Sequence, residues 1–393
     1  MSLTMAALVA PTVSADATNG PAQINGCVVR SPVSPMPLSS GTGGAPGPWH
    51  SKVLVKRAMV QVLDPATRSA YGLVPGKPYP EGPEVLQAFR LTGGSARNGP
   101  TFSLGGGYSD ALTLADGSLW VSGSIAPGNE PPGPLLCQID PTTLRLVRQV
   151  PLPRPGTGNA VGLPSLVAPG PRGTVWVGYR RTLVHLEVRS GAVLSTDTVP
   201  SGFIVSLATD PADRLLYVSV SYPTIDGKMV DAAVEERAAS DGRVLASTSA
   251  TSPVTEAVAG GVLTALPDGV ATSFRTGMEG STVLLRAANL AAITPPGLGA
   301  PGRGQDEPPD DVFGWPMDAS TLYASGSLWI ENEGGVLACV DPASGAVRAS
   351  EQEHRDIGDL IELLGTDEHA RQLLATSTGD EVLSVTAPTA CWH

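Results

Sequence analysis

The sequence predicts an all-β fold of seven four-stranded antiparallel blades closed into a ring, a seven-bladed β-propeller. Three observations carry this expectation. A unit of about 48 residues recurs seven times, apolar runs of strand length alternate with tight-turn sequences, and helix breakers are abundant. The 393 residues include 46 glycines and 37 prolines, about a fifth of the chain against roughly 12% in average usage. Long helices have little room in such a sequence.

Composition narrows the classes further. Only 16% of residues are charged while 41% are apolar, which excludes ordinary disorder. The net charge of −12 argues against nucleic-acid or anionic-membrane partners. No apolar run approaches the ~18 residues of a membrane-spanning helix.

From the N-terminus, residues 1–17 end in Ala15-Asp-Ala17 after a short apolar stretch. They read as the remnant of a secretory signal with an A-x-A cleavage site, which predicts an extracytoplasmic or secreted protein. Residues 18–50 are an extended crossing segment, rich in Pro, Gly and Ser after residue 30, and carry a closing strand at Gln23-Ile-Asn-Gly-Cys27-Val-Val-Arg30. Residues 51–393 form the propeller.

Within each unit, a first hairpin leads into a second strand that often carries an aromatic residue. It reads Asp64-Pro-Ala-Thr-Arg-Ser-Ala-Tyr71, Asp116-Gly-Ser-Leu-Trp120, Arg172-Gly-Thr-Val-Trp176, Asp210-Pro-Ala-Asp-Arg-Leu-Leu-Tyr217 and Ser325-Gly-Ser-Leu-Trp329. Copies without the aromatic are Pro267-Asp-Gly-Val-Ala271 and Ala370-Arg-Gln-Leu-Leu-Ala375. The aromatics are expected to pack between neighbouring blades.

A third strand then ends in a turn, as in Val336-Leu-Ala-Cys-Val-Asp-Pro-Ala-Ser-Gly345. Aligning this turn gives a column at 94, 144, 191, 242, 290, 345 and 390, with spacings of 50, 47, 51, 48, 55 and 45. Glycine in that column supplies a positive φ.

Ring closure requires a fourth strand for the last unit, which the segment at 23–30 would provide, removing an open sheet edge. That arrangement brings Cys27 towards Cys391. Cys137 and Cys339 fall in the third strands of the second and sixth blades, too distant to meet. A Cys27–Cys391 disulfide is therefore the expected pairing of the three possible, and export would permit it.

The Ile/Val-Asp-Pro-x-Ser/Thr-Gly-x-Val turn at 139–144 and 340–347 resembles the repeat of YVTN-type propellers and of the quinoprotein amine dehydrogenase β-chain-like group. The resemblance implies the propeller architecture across most of residues 50–393. It fixes no activity, because families with this repeat include surface-binding proteins, scaffolds and a few enzymes.

In such a ring the second-to-third loops and the starts of the innermost strands share one face around the central channel. Candidate ligand-binding residues there are Tyr108, Asp110, Tyr179, Arg180, Tyr222, Arg275, Trp315, Glu331 and Arg355. His354 with Asp356 and Asp359 is the one constellation suited to acid–base chemistry. Asp306, Asp310 and Asp311, in the long connection before Trp315, are candidate Ca²⁺ ligands, although D-x-D-x-D-G spacing is absent. No G-x-S-x-G, H-E-x-x-H or Walker motif occurs.

The sequence thus favours a monomeric binding module without a cofactor, taking a protein, glycan or small molecule through its channel-mouth loops. A hydrolase or lyase with a carboxylate site, with or without a divalent metal, is the alternative.

Overall fold

The computed structural model describes residues 49–56, 59–64, 67–76, 82–92, 95–103, 111–125, 133–153, 165–200, 202–223, 229–250, 257–258, 263–276, 281–290, 320–332, 336–352, 360–367, 371–377 and 381–392. These are almost entirely β-strands, and they form a propeller of antiparallel sheets.

Six sheets are complete four-stranded blades. The first holds β2 (Met59–Asp64), β3 (Ser69–Gly76), β4 (Gly82–Thr92) and β5 (Ser95–Ser103). The second holds β6 (Ala111–Ala115), β7 (Ser118–Ile125), β8 (Gly133–Ile139) and β9 (Leu146–Pro151). The third holds β10 (Ser165–Gly170), β11 (Thr174–Tyr179), β12 (Thr182–Glu187) and β13 (Val193–Thr198). The fourth holds β14 (Phe203–Thr209), β15 (Leu215–Pro223), β16 (Met229–Ala238) and β17 (Val244–Ala250).

The fifth sheet is irregular. Its innermost strand is split into β18 (Ala257–Val258) and β19 (Leu263–Leu266). Both pair with the same edge of β20 (Gly269–Thr276), and β21 (Ser281–Ala287) takes the other. The sixth holds β22 (Ser320–Ala324), β23 (Ser327–Asn332), β24 (Val336–Val340) and β25 (Val347–Gln352). The last combines β26 (Leu360–Asp367), β27 (Gln372–Ser377) and β28 (Glu381–Thr386) with β1 (His50–Val55).

An N-terminal strand therefore closes the ring against the last sheet, as the sequence predicts, but it is not the one at 23–30. His50–Val55 pairs antiparallel with β28 from His50↔Thr386 to Val55↔Val382. Its run Lys52-Val-Leu-Val55 occupies the only free edge of β28, and residues 23–30 lie outside the described residues. Innermost strands adjoin in order: β2 with β6, β6 with β10, β10 with β14, β14 with β19, β19 with β22, β22 with β26, and β26 with β2.

The core lies in the gaps between sheets. Between the second and third sheets, Trp120 and Leu136 meet Val175, Val177 and Leu186. Burial falls outward, as the third sheet shows: every residue of β11 is buried, whereas β13 is exposed along nearly its whole length. The second-strand aromatics Tyr71, Trp120, Trp176, Tyr217 and Trp329 are all at most 2% exposed, filling wedges that widen outward. The turn column holds at five positions, where Leu144, Gly191, Gly242, Leu290 and Gly345 have φ between 51° and 76°. Ala390 departs from it, lying in a 3-10 segment without positive φ, and position 94 lies outside the described residues.

The expected Cys27–Cys391 bond is corrected. Cys391 is joined to Cys339, with Cα atoms 5.6 Å apart. After β28 the chain turns through a short 3-10 segment, Thr389–Cys391, which carries Cys391 onto the third strand of the sixth sheet. There Ser327 Oγ donates to the Cys391 carbonyl at 2.7 Å, and Trp392 packs at 5.1 Å against Trp329. Cys137 is buried in the gap between the first and second sheets.

Candidate functional site

The up-and-down strand order gives the ring two unlike ends. One end carries the first-to-second and third-to-fourth turns, and there the side chains serve the fold. Asp140 Oδ1 accepts from the Thr142 and Thr143 N–H groups at 3.0 and 2.7 Å and from Thr143 Oγ1 at 2.8 Å. Asp341 repeats the arrangement with Ala343 and Ser344, and Arg348 Nη2 donates to its other oxygen at 2.6 Å. The Ser344 N–H, then Arg348, lower the Asp341 carboxyl to about 2, and the Thr143 N–H lowers Asp140.

In the first hairpins, Arg68 bridges to Asp367 at 2.8 Å, joining the first and last sheets. Asp210 Oδ1 receives the Arg214 and Leu215 N–H groups. Burial raises the Asp213 carboxyl, with further contributions from Asp210 and Asp116. Among the described residues no three His, Cys, Asp or Glu side chains group as metal ligands.

The opposite end gathers the second-strand C-termini and the starts of innermost strands. Tyr179, Tyr222, Arg275 and Glu331 fall at the ends of β11, β15, β20 and β23, and so share this end. Their settings differ. Tyr179 is 2% exposed, and its hydroxyl donates to the Pro153 carbonyl; burial pushes it up to about 12. Arg180 occupies the two-residue turn to β12 with φ 52°. The next residue, Arg181, gives its guanidinium to the Val199 and Pro200 carbonyls.

Tyr222 pairs with Asp231, and Arg275 with Ser281 and Val258, in backbone register. Glu331 is fully buried opposite Ser320, whose Oγ accepts the Leu363 N–H at 2.9 Å. Tyr108, Asp110, Trp315 and Arg355 lie outside the described residues. So do His354, Asp356 and Asp359, and the Ca²⁺ candidates Asp306, Asp310 and Asp311.

Three arrangements escaped the sequence reading. The first is a buried ionic link between the third and fourth sheets. Arg237, 1% exposed, donates to Glu235 Oε2 at 2.8 Å, to the Gly242 carbonyl at 2.9 Å and to Asp197. Burial opposes ionisation of Asp197, but Arg237 and the Thr198 N–H outweigh it and hold that carboxyl low. The only available signal was the acidic pair in Glu235-Glu-Arg237.

The second is a belt of innermost-strand hydroxyls. Thr113 donates to the Val167 carbonyl, Ser206 accepts the Leu263 N–H at 3.0 Å, and Thr264 meets Thr321 Oγ1 at 2.7 Å. Each bond crosses to the next sheet. The third is His185, stacked flat on Trp176 at 4.1 Å with Nε2 2.8 Å from Thr174 Oγ1. Burial lowers its pKa, and nothing there places it near a reaction centre.

No helix among the described residues is long and apolar enough to cross a membrane. No family model matches the chain, and no curated protein matches it.

Proposed function

We propose that the chain is an extracytoplasmic seven-bladed propeller of the YVTN type that acts as a monomeric binding module, using the end that carries the second-to-third and sheet-to-sheet connections. One observation carries this reading: the unequal lengths of the connections at the two ends. At the hairpin end the described turns run from two residues, as at 116–117, to six, as at 341–346. At the other end the described strands are separated by longer intervals, such as 104–110, 126–132 and 152–164. Long connections on a rigid scaffold are where binding residues concentrate. The seventh blade rests on counting the irregular fifth sheet, and the closed neighbour cycle of innermost strands supports that count. The Cys339–Cys391 bond supports an oxidising compartment.

The test is a thermal-shift screen of the full chain against glycans, peptides and small metabolites, repeated with chelator and with Ca²⁺. A ligand that binds only the folded state raises Tm by mass action. The expected hit is lost in Tyr222→Ala/Arg275→Ala and kept in Arg172→Ala, which alters the hairpin end. Loss in the hairpin-end variant alone overturns the assignment. A fall in Tm with chelator, restored by one ion, would move the reading to the metal-dependent enzyme.

A further inference from the structure

The gap between the fourth and fifth sheets breaks the pattern of its neighbours. Counting outward from the first hairpin, the fourth cross-strand pair is Leu112–Val121 in the second sheet, Val167–Val177 in the third and Thr321–Ile330 in the sixth. The second-strand member, Val121, Val177 or Ile330, packs against the preceding sheet. In the fifth sheet the pair is Leu263–Thr272. A threonine hydroxyl thus stands where the second, third and sixth sheets place a branched hydrocarbon, and the fourth sheet has Ser219 at the same count.

Across the gap stands Ser219. It pairs with Ser206, and Ser206 Oγ accepts the N–H of Leu263, the partner of Thr272. Ser219 and Thr272 therefore belong to one layer. Both residues are fully buried, and neither hydroxyl has a hydrogen-bond partner among the described residues. Nearer the hairpin end, Tyr217 faces the same gap with its buried hydroxyl likewise unpartnered among the described residues. Buried polar groups are almost always satisfied, and an internal water is the usual partner where protein atoms are not.

We propose that the gap between the fourth and fifth sheets is a built hydration site, in which an internal water bridges Ser219 Oγ and Thr272 Oγ1, with Ser206 Oγ as its third polar neighbour. A water with two to four polar partners is held as part of the structure. The split innermost strand β18/β19 borders this site, so the ring's least regular sheet is joined to its neighbour through solvent as well as hydrocarbon.

Two measurements on the full chain test this. A crystal structure is expected to show an ordered water within about 3.2 Å of both oxygens. A dry gap, or a direct bond between the two hydroxyls, overturns it. Independently, Thr272→Val places there the side chain that the second and third sheets carry as Val121 and Val177, at nearly unchanged volume. If water is bound there, the variant loses a bridging bond and Tm falls by about 1–3 °C. A rise in Tm means that a dry, unsatisfied hydroxyl was removed, and overturns the proposal.

Discussion

Gly242 shows how much one residue in the turn column carries. Its φ is +76°, and a Cβ placed on it would lie 2.7 Å from the Trp176 ring, so backbone strain and a clash with the neighbouring sheet coincide. Gly117 has φ +69° with nothing within 4 Å of the same added atom. Gly242→Ala is therefore expected to cost about 2–4 kcal/mol and Gly117→Ala about 1–2 kcal/mol, measured by denaturant unfolding. Equal losses would mean that strain alone matters. Asp341 makes the matching electrostatic case. Its carboxyl is lowered to about 2 from an ordinary 3.8, so the native state favours the ionised form. The stability this lends is present above about pH 4 and is lost as pH falls towards 2. Asp341→Asn is expected to flatten that part of the acid-unfolding profile, and an unchanged profile would refute the assignment.

Elements are joined by unlike means. The Arg237 link between the third and fourth sheets has one buried acid, Glu235, and one largely exposed acid, Asp197, whose side chain is 54% exposed. Removing Arg237 strands a buried carboxylate, so Arg237→Ala is expected to cost about 3–5 kcal/mol. Asp197→Ala removes a solvated partner and is expected to cost about 1 kcal/mol or less. Thermal or urea unfolding of both variants reads the difference directly, and comparable losses would contradict it. At this scale the sequence was most legible where chemistry is local. Asp-Gly and Ser-Gly dipeptides, the Asp-Pro-x-Ser/Thr-Gly turn and the strand aromatics all announce themselves within a few residues. The Ser206–Leu263 and Thr264–Thr321 bonds each span 57 positions and leave no such signature. Tyr179 read as a loop-face tyrosine but is folded inward onto Pro153, because its strand is buried on both faces.

For the whole molecule, closure was legible in principle and misplaced in detail. An alternating run near the N-terminus was expected on the last sheet; the run that took the edge, His50–Val55, was the one adjoining the first blade. The cysteine pairing failed with it, since Cys391 follows a C-terminal turn whose direction no periodicity reveals. The Cys339–Cys391 bond spans 52 positions, and cross-linking a loop of that length is worth about 4 kcal/mol by chain entropy. Cys391→Ala is expected to lower Tm and to abolish the Tm loss that reductant causes in the parent protein. A reductant effect that persists in the variant would count against this bond as its origin.

The same closure gives the molecule a handle. β1 starts at the hairpin end of the ring, because His50 faces Thr386 at the close of β28, and Trp49 shares a buried cluster with Cys391 and Trp392. Entry to and exit from the propeller are thus side by side at the hairpin end. A tether, tag or immobilising support attached after Trp392 would present the molecule like a cup held by its base, with the end proposed to bind left facing outward.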